Sequence, residues 1–132
     1  MNEKKYLIDT DVLIDYLRGA SQAEQFLEKI ISHSVCCLSV ITVAELYAGV
    51  KSEKEQHIID KMLLIFEIVD INESIAHIGG FYRRDFSKSH GVGLADALIA
   101  ATAEHHEAQL VTFNKKHFPM IKNIIVPYDR NS

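Results

Sequence analysis

Short apolar runs alternate along this chain with longer stretches in which apolar residues recur at helical spacing, and that alternation restricts the fold more than any other feature. Tyr6-Leu7-Ile8 reads as a strand; Val12-Leu13-Ile14 with Tyr16-Leu17 turns to helical spacing before Gly19 stops it. Ser21-Gln22-Ala23-Glu24 has the capping-box form, and Phe26, Leu27, Ile30 and Ile31 give the helix behind it one apolar face. Residues 35–38 form a second strand, Ser39 opens a helical stretch through Val50, and Ser52 with Glu55 repeats the capping-box pattern ahead of Ile58, Ile59, Met62 and Leu63. A third strand spans 66–71, and Asn72 caps a helix to about Phe86. Gly79-Gly80 interrupts that helix at a cost of about 1 kcal/mol per glycine relative to alanine, unless close packing requires it. Residues 87–93 look like loop, 94–106 like an alanine-rich buried helix, 109–112 like a fourth strand and 124–126, before Pro127, like a fifth. Strands separated by helices predict an α/β domain whose central, mainly parallel sheet is covered on both faces through right-handed crossovers.

The length, 132 residues, suits one undivided domain over 1–132, with no repeat or linker. Cys36 and Cys37 are adjacent in a strand, so they point to opposite faces and read as core thiols. No apolar run approaches the roughly 20 residues of a membrane span, and the charged stretch Met1 to Lys5 does not open a signal peptide, so a cytoplasmic location is expected. Fourteen basic against 18 acidic residues give a net charge of −4, which argues against indiscriminate capture of a polyanion.

Three of the carboxylates stand in unusual surroundings. Glu45 is the only charged residue between Val35 and Lys51, Asp96 the only Asp, Glu, Lys or Arg between Lys88 and Glu104, and Asp9 ends the first strand. An ionised carboxylate removed from water without compensation costs several kcal/mol, so each must protonate or find positive charge. No lysine or arginine in these segments supplies it, and a divalent cation such as Mg²⁺ is the economical partner. Groups that follow parallel strands converge beyond their carboxyl ends, where Asp9 lies and where the loop carrying Asn114 arrives. Taken singly, Asp9 and Asp96 also read as helix-terminus residues; the three acids together favour a site.

The chain resembles a PIN-domain ribonuclease, and more narrowly the VapC-type toxin of a toxin–antitoxin pair. The resemblance covers nearly all of it and is carried by Tyr6-Leu7-Ile8-Asp9-Thr10-Asp11-Val12-Leu13-Ile14-Asp15, Thr42-Val43-Ala44-Glu45-Leu46-Tyr47-Ala48-Gly49, Leu94-Ala95-Asp96-Ala97-Leu98-Ile99-Ala100-Ala101-Thr102-Ala103 and Leu110-Val111-Thr112-Phe113-Asn114-Lys115-Lys116-His117-Phe118. It implies a PIN-like three-layer α/β/α domain and an endoribonuclease in which Asp9, Glu45 and Asp96 bind Mg²⁺ or Mn²⁺. It also implies that water activated by the ion cleaves RNA to leave a 5′-phosphate and a 3′-hydroxyl. Thr10 or Asp11 helps to orient the first acid, and Thr112, Asn114 and His117 stand where second-shell or substrate groups are expected. An aspartate often found in the fourth motif is absent, which leaves Asn114 and the number of ions, one or two, open. The resemblance further implies a cognate VapB-like antitoxin, contact with DNA only through that antitoxin, and a homodimer, for which apolar positions on the early helices offer a surface.

Arg83, Arg84 and Lys88, and again Lys115 and Lys116, are basic segments suited to an RNA backbone, or equally to solvated loop charge. The seven histidines lack zinc-ligand spacing. Two rivals carry their own signatures. A phosphatase of the haloacid dehalogenase type would use Asp9 as nucleophile and Asp11 as acid–base, but needs a later lysine and paired acids, and after Thr112 only Asp129 remains. A catalytically weak PIN domain that only binds RNA or protein would account for Asn114 but not for the three acids.

Overall fold

A computed structural model describes residues 4–130; the start of the charged N-terminal stretch, 1–3, and the last two residues of the expected domain lie outside the described residues. Four strands, β1 (Lys5–Ile8), β2 (Val35–Ser39), β3 (Glu67–Val69) and β4 (Gln109–Val111), form one sheet in the order β3-β2-β1-β4. All three pairings are parallel, with Leu7 opposite both Cys37 and Leu110. The helices are α1 (Thr10–Leu17), α2 (Ser21–His33), α3 (Val40–Ala48), α4 (Glu53–Leu63), α5 (Glu73–His90) and α6 (Leu94–His105), with a short 3₁₀ turn at Lys115–His117. The chain moves outward from β1 through β2 to β3 and then returns to the other side of β1 for β4. In open parallel sheets such a reversal places a crevice beyond the carboxyl ends of the flanking strands, here β1 and β4.

Strand alternation builds the three layers. Tyr6, Ile8, Cys36 and Leu38 point to one face and join Val12, Leu13, Leu27, Ile59 and Met62 of α1, α2 and α4. Leu7, Cys37 and Leu110 point to the other and meet Ile99, Ala100 and Ala103 of α6, flanked by Tyr82 of α5. The cysteines thus sit on opposite faces as unpaired core thiols, and burial pushes the Cys36 thiol up to about 11. α5 and α6 approach closely because Gly79 lacks a side chain: a Cβ there would stand 2.6 Å from Leu98 Cδ2 and 3.2 Å from its Cα. Nothing lies within 4 Å of the same point on Gly80.

The structure revises several sequence expectations. Ser21 is not a cap: Ala20 occupies that position and makes no side-chain bond, whereas Ser52 does accept from the Glu55 amide at 3.1 Å. Glu55 returns its carboxylate to the Lys51 amide at 2.6 Å, one residue before the capping serine. α5 runs through His90 rather than Phe86, and its polar last turn, which resembles loop, closes on Gly91 at φ +64. The fifth strand reduces to an isolated bridge between Val111 and Ile125. Apolar positions on α1 and α2 are buried or half-buried; the exposed large ones are Ile58, Leu64, Ile65, Ile68, Ile78, Phe81, Leu94 and Val126, outside the early helices. Among the described residues no helix is long and apolar enough to cross a membrane.

Candidate active site

Carboxylates gather at the strand reversal, beyond the carboxyl ends of β1 and β4. Asp9 follows β1 in extended conformation and caps α1, its Oδ1 accepting from the Thr10 amide at 2.8 Å. Its Oδ2 accepts from the Thr112 hydroxyl at 2.8 Å, a bond that ties the ends of β1 and β4 together. Only 6% of Asp9 is exposed, and burial first, then the Asp11 charge, with Asp96 adding less, pushes its carboxyl up to about 7 against the opposing Thr112 and Thr10 bonds.

Asp11 reaches the loop after β4 from the first turn of α1. Its Oδ2 accepts from the Phe113 amide at 3.0 Å and the Asn114 side-chain amide at 3.1 Å, with the Thr112 hydroxyl at 3.2 Å. Its Oδ1 is buried with no hydrogen-bond partner among the described residues. Asp11 is also held above the usual carboxylate range, by burial above all. Thr112 in turn accepts the Asn114 backbone amide at 3.1 Å, which closes the loop on itself.

Asp96, in the first turn of α6, is half-buried and lies 3.2 Å from Nδ1 of the more exposed His117. Burial raises its pKa, His117 opposes this, and the Glu45 and Asp11 charges raise it further. Glu45 joins through Thr10, whose hydroxyl donates to Oε1 at 2.6 Å. The desolvation argument does not extend to Glu45, which is exposed on α3 despite its apolar sequence neighbours.

Sequence-predicted groups are thus brought together unevenly. Asp9, Asp11, Thr112 and Asn114 form one hydrogen-bonded set, Asp96 and His117 a second, and Thr10 and Glu45 a third, linked by the charges just described. Lys115 and Lys116 share the 3₁₀ turn with His117. Arg83, Arg84 and Lys88 are exposed on α5, where Arg84 pairs with Asp85 at 2.8 Å and lies over the Phe81 ring. Asp15, Tyr128 and Arg130 meet beside the loop, a junction sequence reasoning did not foresee; the only local signal was Asp15 four residues after Asp11 on the same helix.

Among the described residues, no three His, Cys, Asp or Glu side chains converge as a preformed metal cage. The donor set nevertheless suits a hard divalent cation. Its donors are carboxylate oxygens whose charged forms burial and mutual repulsion disfavour, and Asp11 Oδ1 is buried without a hydrogen-bond partner among the described residues. Mg²⁺ needs only one or two such carboxylates, since it keeps several waters and takes others of its ligands from phosphate.

The PIN domain profile matches residues 6–122. The chain belongs to the PIN-domain family. Ribonuclease VapC10 of Mycobacterium tuberculosis is 36% identical over 123 residues, covering 92% of each chain. A toxin–antitoxin complex from Klebsiella pneumoniae contains a chain that superposes with a TM-score of 0.80 at 32% identity, covering 94% of this chain and 98% of its own. VapBC2 from Rickettsia felis, bound to a DNA fragment from its promoter, gives 0.77 at 27% identity over 92% and 96%. Within this PIN domain the expected three-layer α/β/α architecture holds, with four parallel strands rather than five, and the haloacid dehalogenase alternative falls away. Tyr128 and Arg130 lie beyond the matched span.

Proposed function

We propose that this PIN domain is a Mg²⁺- or Mn²⁺-dependent endoribonuclease acting as the toxin of a VapBC-type pair, cutting RNA to leave a 5′-phosphate and a 3′-hydroxyl. The observation that carries this is the gathering of buried Asp9 with half-buried Asp11 and Asp96, acids that burial and their mutual repulsion hold above the usual carboxylate range and that a divalent cation would relieve. Asp9, Asp96 and Glu45 would hold the ion. When bound, a divalent cation offsets charge on the scissile phosphate and lowers the pKa of the attacking water. Thr112 fixes the Asp9 carboxylate, Thr10 fixes Glu45, and His117 presents a hydrogen-bonding ring beside Asp96 to the incoming backbone. Lys115 and Lys116 supply positive charge at the same rim.

A ribonuclease toxin must be restrained. The solved relatives described above are toxin–antitoxin complexes, one of them on promoter DNA. We extend this to a VapB-like antitoxin that holds the toxin silent in the cytoplasm and carries any DNA contact, with the toxin as a homodimer. A groove of about 460 Å³ between α1, α3 and α4 includes Glu45 in its lining and has room for an antitoxin segment whose basic side chain would take the place of the ion's charge.

Asp96→Asn is expected to abolish RNA cleavage with the fold intact by circular dichroism. Chelation should stop the wild type, and Mg²⁺ or Mn²⁺ should restore it. Full activity in Asp96→Asn, or cleavage that ignores the chelator, would sink the proposal.

A further inference from the structure

The loop that feeds Phe113 and Asn114 to Asp11 is held from outside by the end of the chain. The Arg130 guanidinium forks onto Asp15, Nε to Oδ2 at 3.2 Å and Nη2 to Oδ1 at 3.2 Å, and Nη2 also lies 3.2 Å from the Asp11 carbonyl oxygen. Its Cζ lies over the Phe113 ring, 3.8 Å from the centroid. Tyr128 donates its hydroxyl to Asp15 Oδ2 at 2.8 Å and sets its ring edge-on to Phe113, centroids 5.0 Å apart. One arginine therefore contacts the first helix at two points and the site loop at a third.

An exposed ion pair alone contributes little, but a two-pronged guanidinium that also stacks on an aromatic ring is fixed in position. What it fixes is Phe113, whose amide donates to Asp11 Oδ2. The next residue's amide donates to Thr112, the residue that donates to Asp9. The chain of contacts thus runs from Arg130 through Phe113 and Thr112 to the carboxylate pair.

We propose that residues 128–130 are a clamp on the catalytic loop, with Arg130, Tyr128 and Asp15 acting as positioning residues for the reaction. None touches the acids that would hold the ion. They act through Phe113 and Thr112, and displacing a catalytic group by about 1 Å can cost up to roughly a hundredfold in rate. The role in catalysis rests on the proposed ribonuclease activity; the mechanical role does not.

The test compares Arg130→Ala, Arg130→Lys and Asp15→Asn in the full chain. Lysine keeps the charge and loses the fork and the stacking, while Asp15→Asn leaves Arg130 intact and weakens its anchor. All three are expected to lower kcat by about tenfold or more with KM within about twofold of wild type. In all three, the Phe113 and Asn114 amides should exchange with solvent about tenfold faster, with Leu7 and Leu110 still protected. Wild-type exchange at Phe113 would overturn the clamp. So would uniform loss of protection across β1 and β4, which marks a general stabilising role, and so would a raised KM confined to Arg130→Ala, which marks direct contact with RNA. If the wild type cleaves no RNA, the proposed function fails, and exchange at Phe113 still decides whether the clamp exists.

Discussion

Asp9 shows how a group suited to binding a cation weighs on stability where no cation offsets its charge. Its carboxyl ordinarily loses its proton near 3.8, and in the fold it holds the proton to about 7. Between those values the unfolded chain has released a proton that the folded chain still binds, so stability falls as pH rises through this window and is lowest above 7. Asparagine cannot ionise and escapes the penalty. It still accepts from Thr10, and Thr112 has Asp11 as an alternative acceptor at 3.2 Å. Asp9→Asn in chelator is therefore expected to be more stable than wild type at pH 8, by at most roughly 4 kcal/mol and with a higher melting temperature, and to match it at pH 4. A difference in melting temperature that does not vary with pH would contradict this. Asp9 was legible because it ends an apolar strand and Asp96 because it stands alone among uncharged neighbours, and the structure does bury both in part. Glu45 satisfied the criterion that marked Asp96 yet is exposed, since apolar sequence neighbours of a helical residue occupy the other faces of the helix. Arg130 and Asp15 were not legible as a pair. They are 115 positions apart, and no local pattern encodes a contact at that range.

At the scale of the element, periodicity located every strand of the sheet and all six helices among the described residues, because alternation and helical spacing are imposed by burial itself. It failed at ends and edges. The last turn of α5 faces solvent and has no apolar face to advertise it, and residues 124–126 lie beside β4 yet contribute one bridge. The two central glycines of α5 looked equivalent in sequence and are not. At Gly79 any Cβ meets both side chain and backbone of Leu98, so Gly79→Ala must force α5 and α6 apart, an overpacking cost of about 1–3 kcal/mol. Gly80 has open space and an ordinary helical φ, so Gly80→Ala should stabilise by about 0.5–1 kcal/mol through helix propensity. Urea unfolding of both variants checks the pair. Equal and opposite signs in the reverse order would mean that α5 does not approach α6 through Gly79.

For the whole molecule, a net charge of −4 averages over two unlike regions. Asp9, Asp11, Asp96 and Glu45 concentrate negative charge in the crevice, while Lys115 and Lys116 stand exposed in the turn that brings His117 to Asp96. Under the proposed function, a cation held there would convert this rim from a self-cancelling surface into one that attracts phosphate, and would tie RNA affinity to the ion. The basic residues of α5 stand differently. Arg84 already spends its charge on Asp85, and that pairing raises the arginine's pKa and lowers the aspartate's. Salt dependence separates the two regions, because each phosphate contact with a single strand releases counterions and contributes about 0.7 to the slope of log affinity against log salt. In an Asp96→Asn background with Mg²⁺ present, Lys115→Ala and Lys116→Ala should each flatten the slope by about 0.7, with Arg84→Ala leaving it nearly unchanged. A slope that responds to Arg84 and ignores both lysines would move the RNA path from the mouth of the crevice to the outer face of α5.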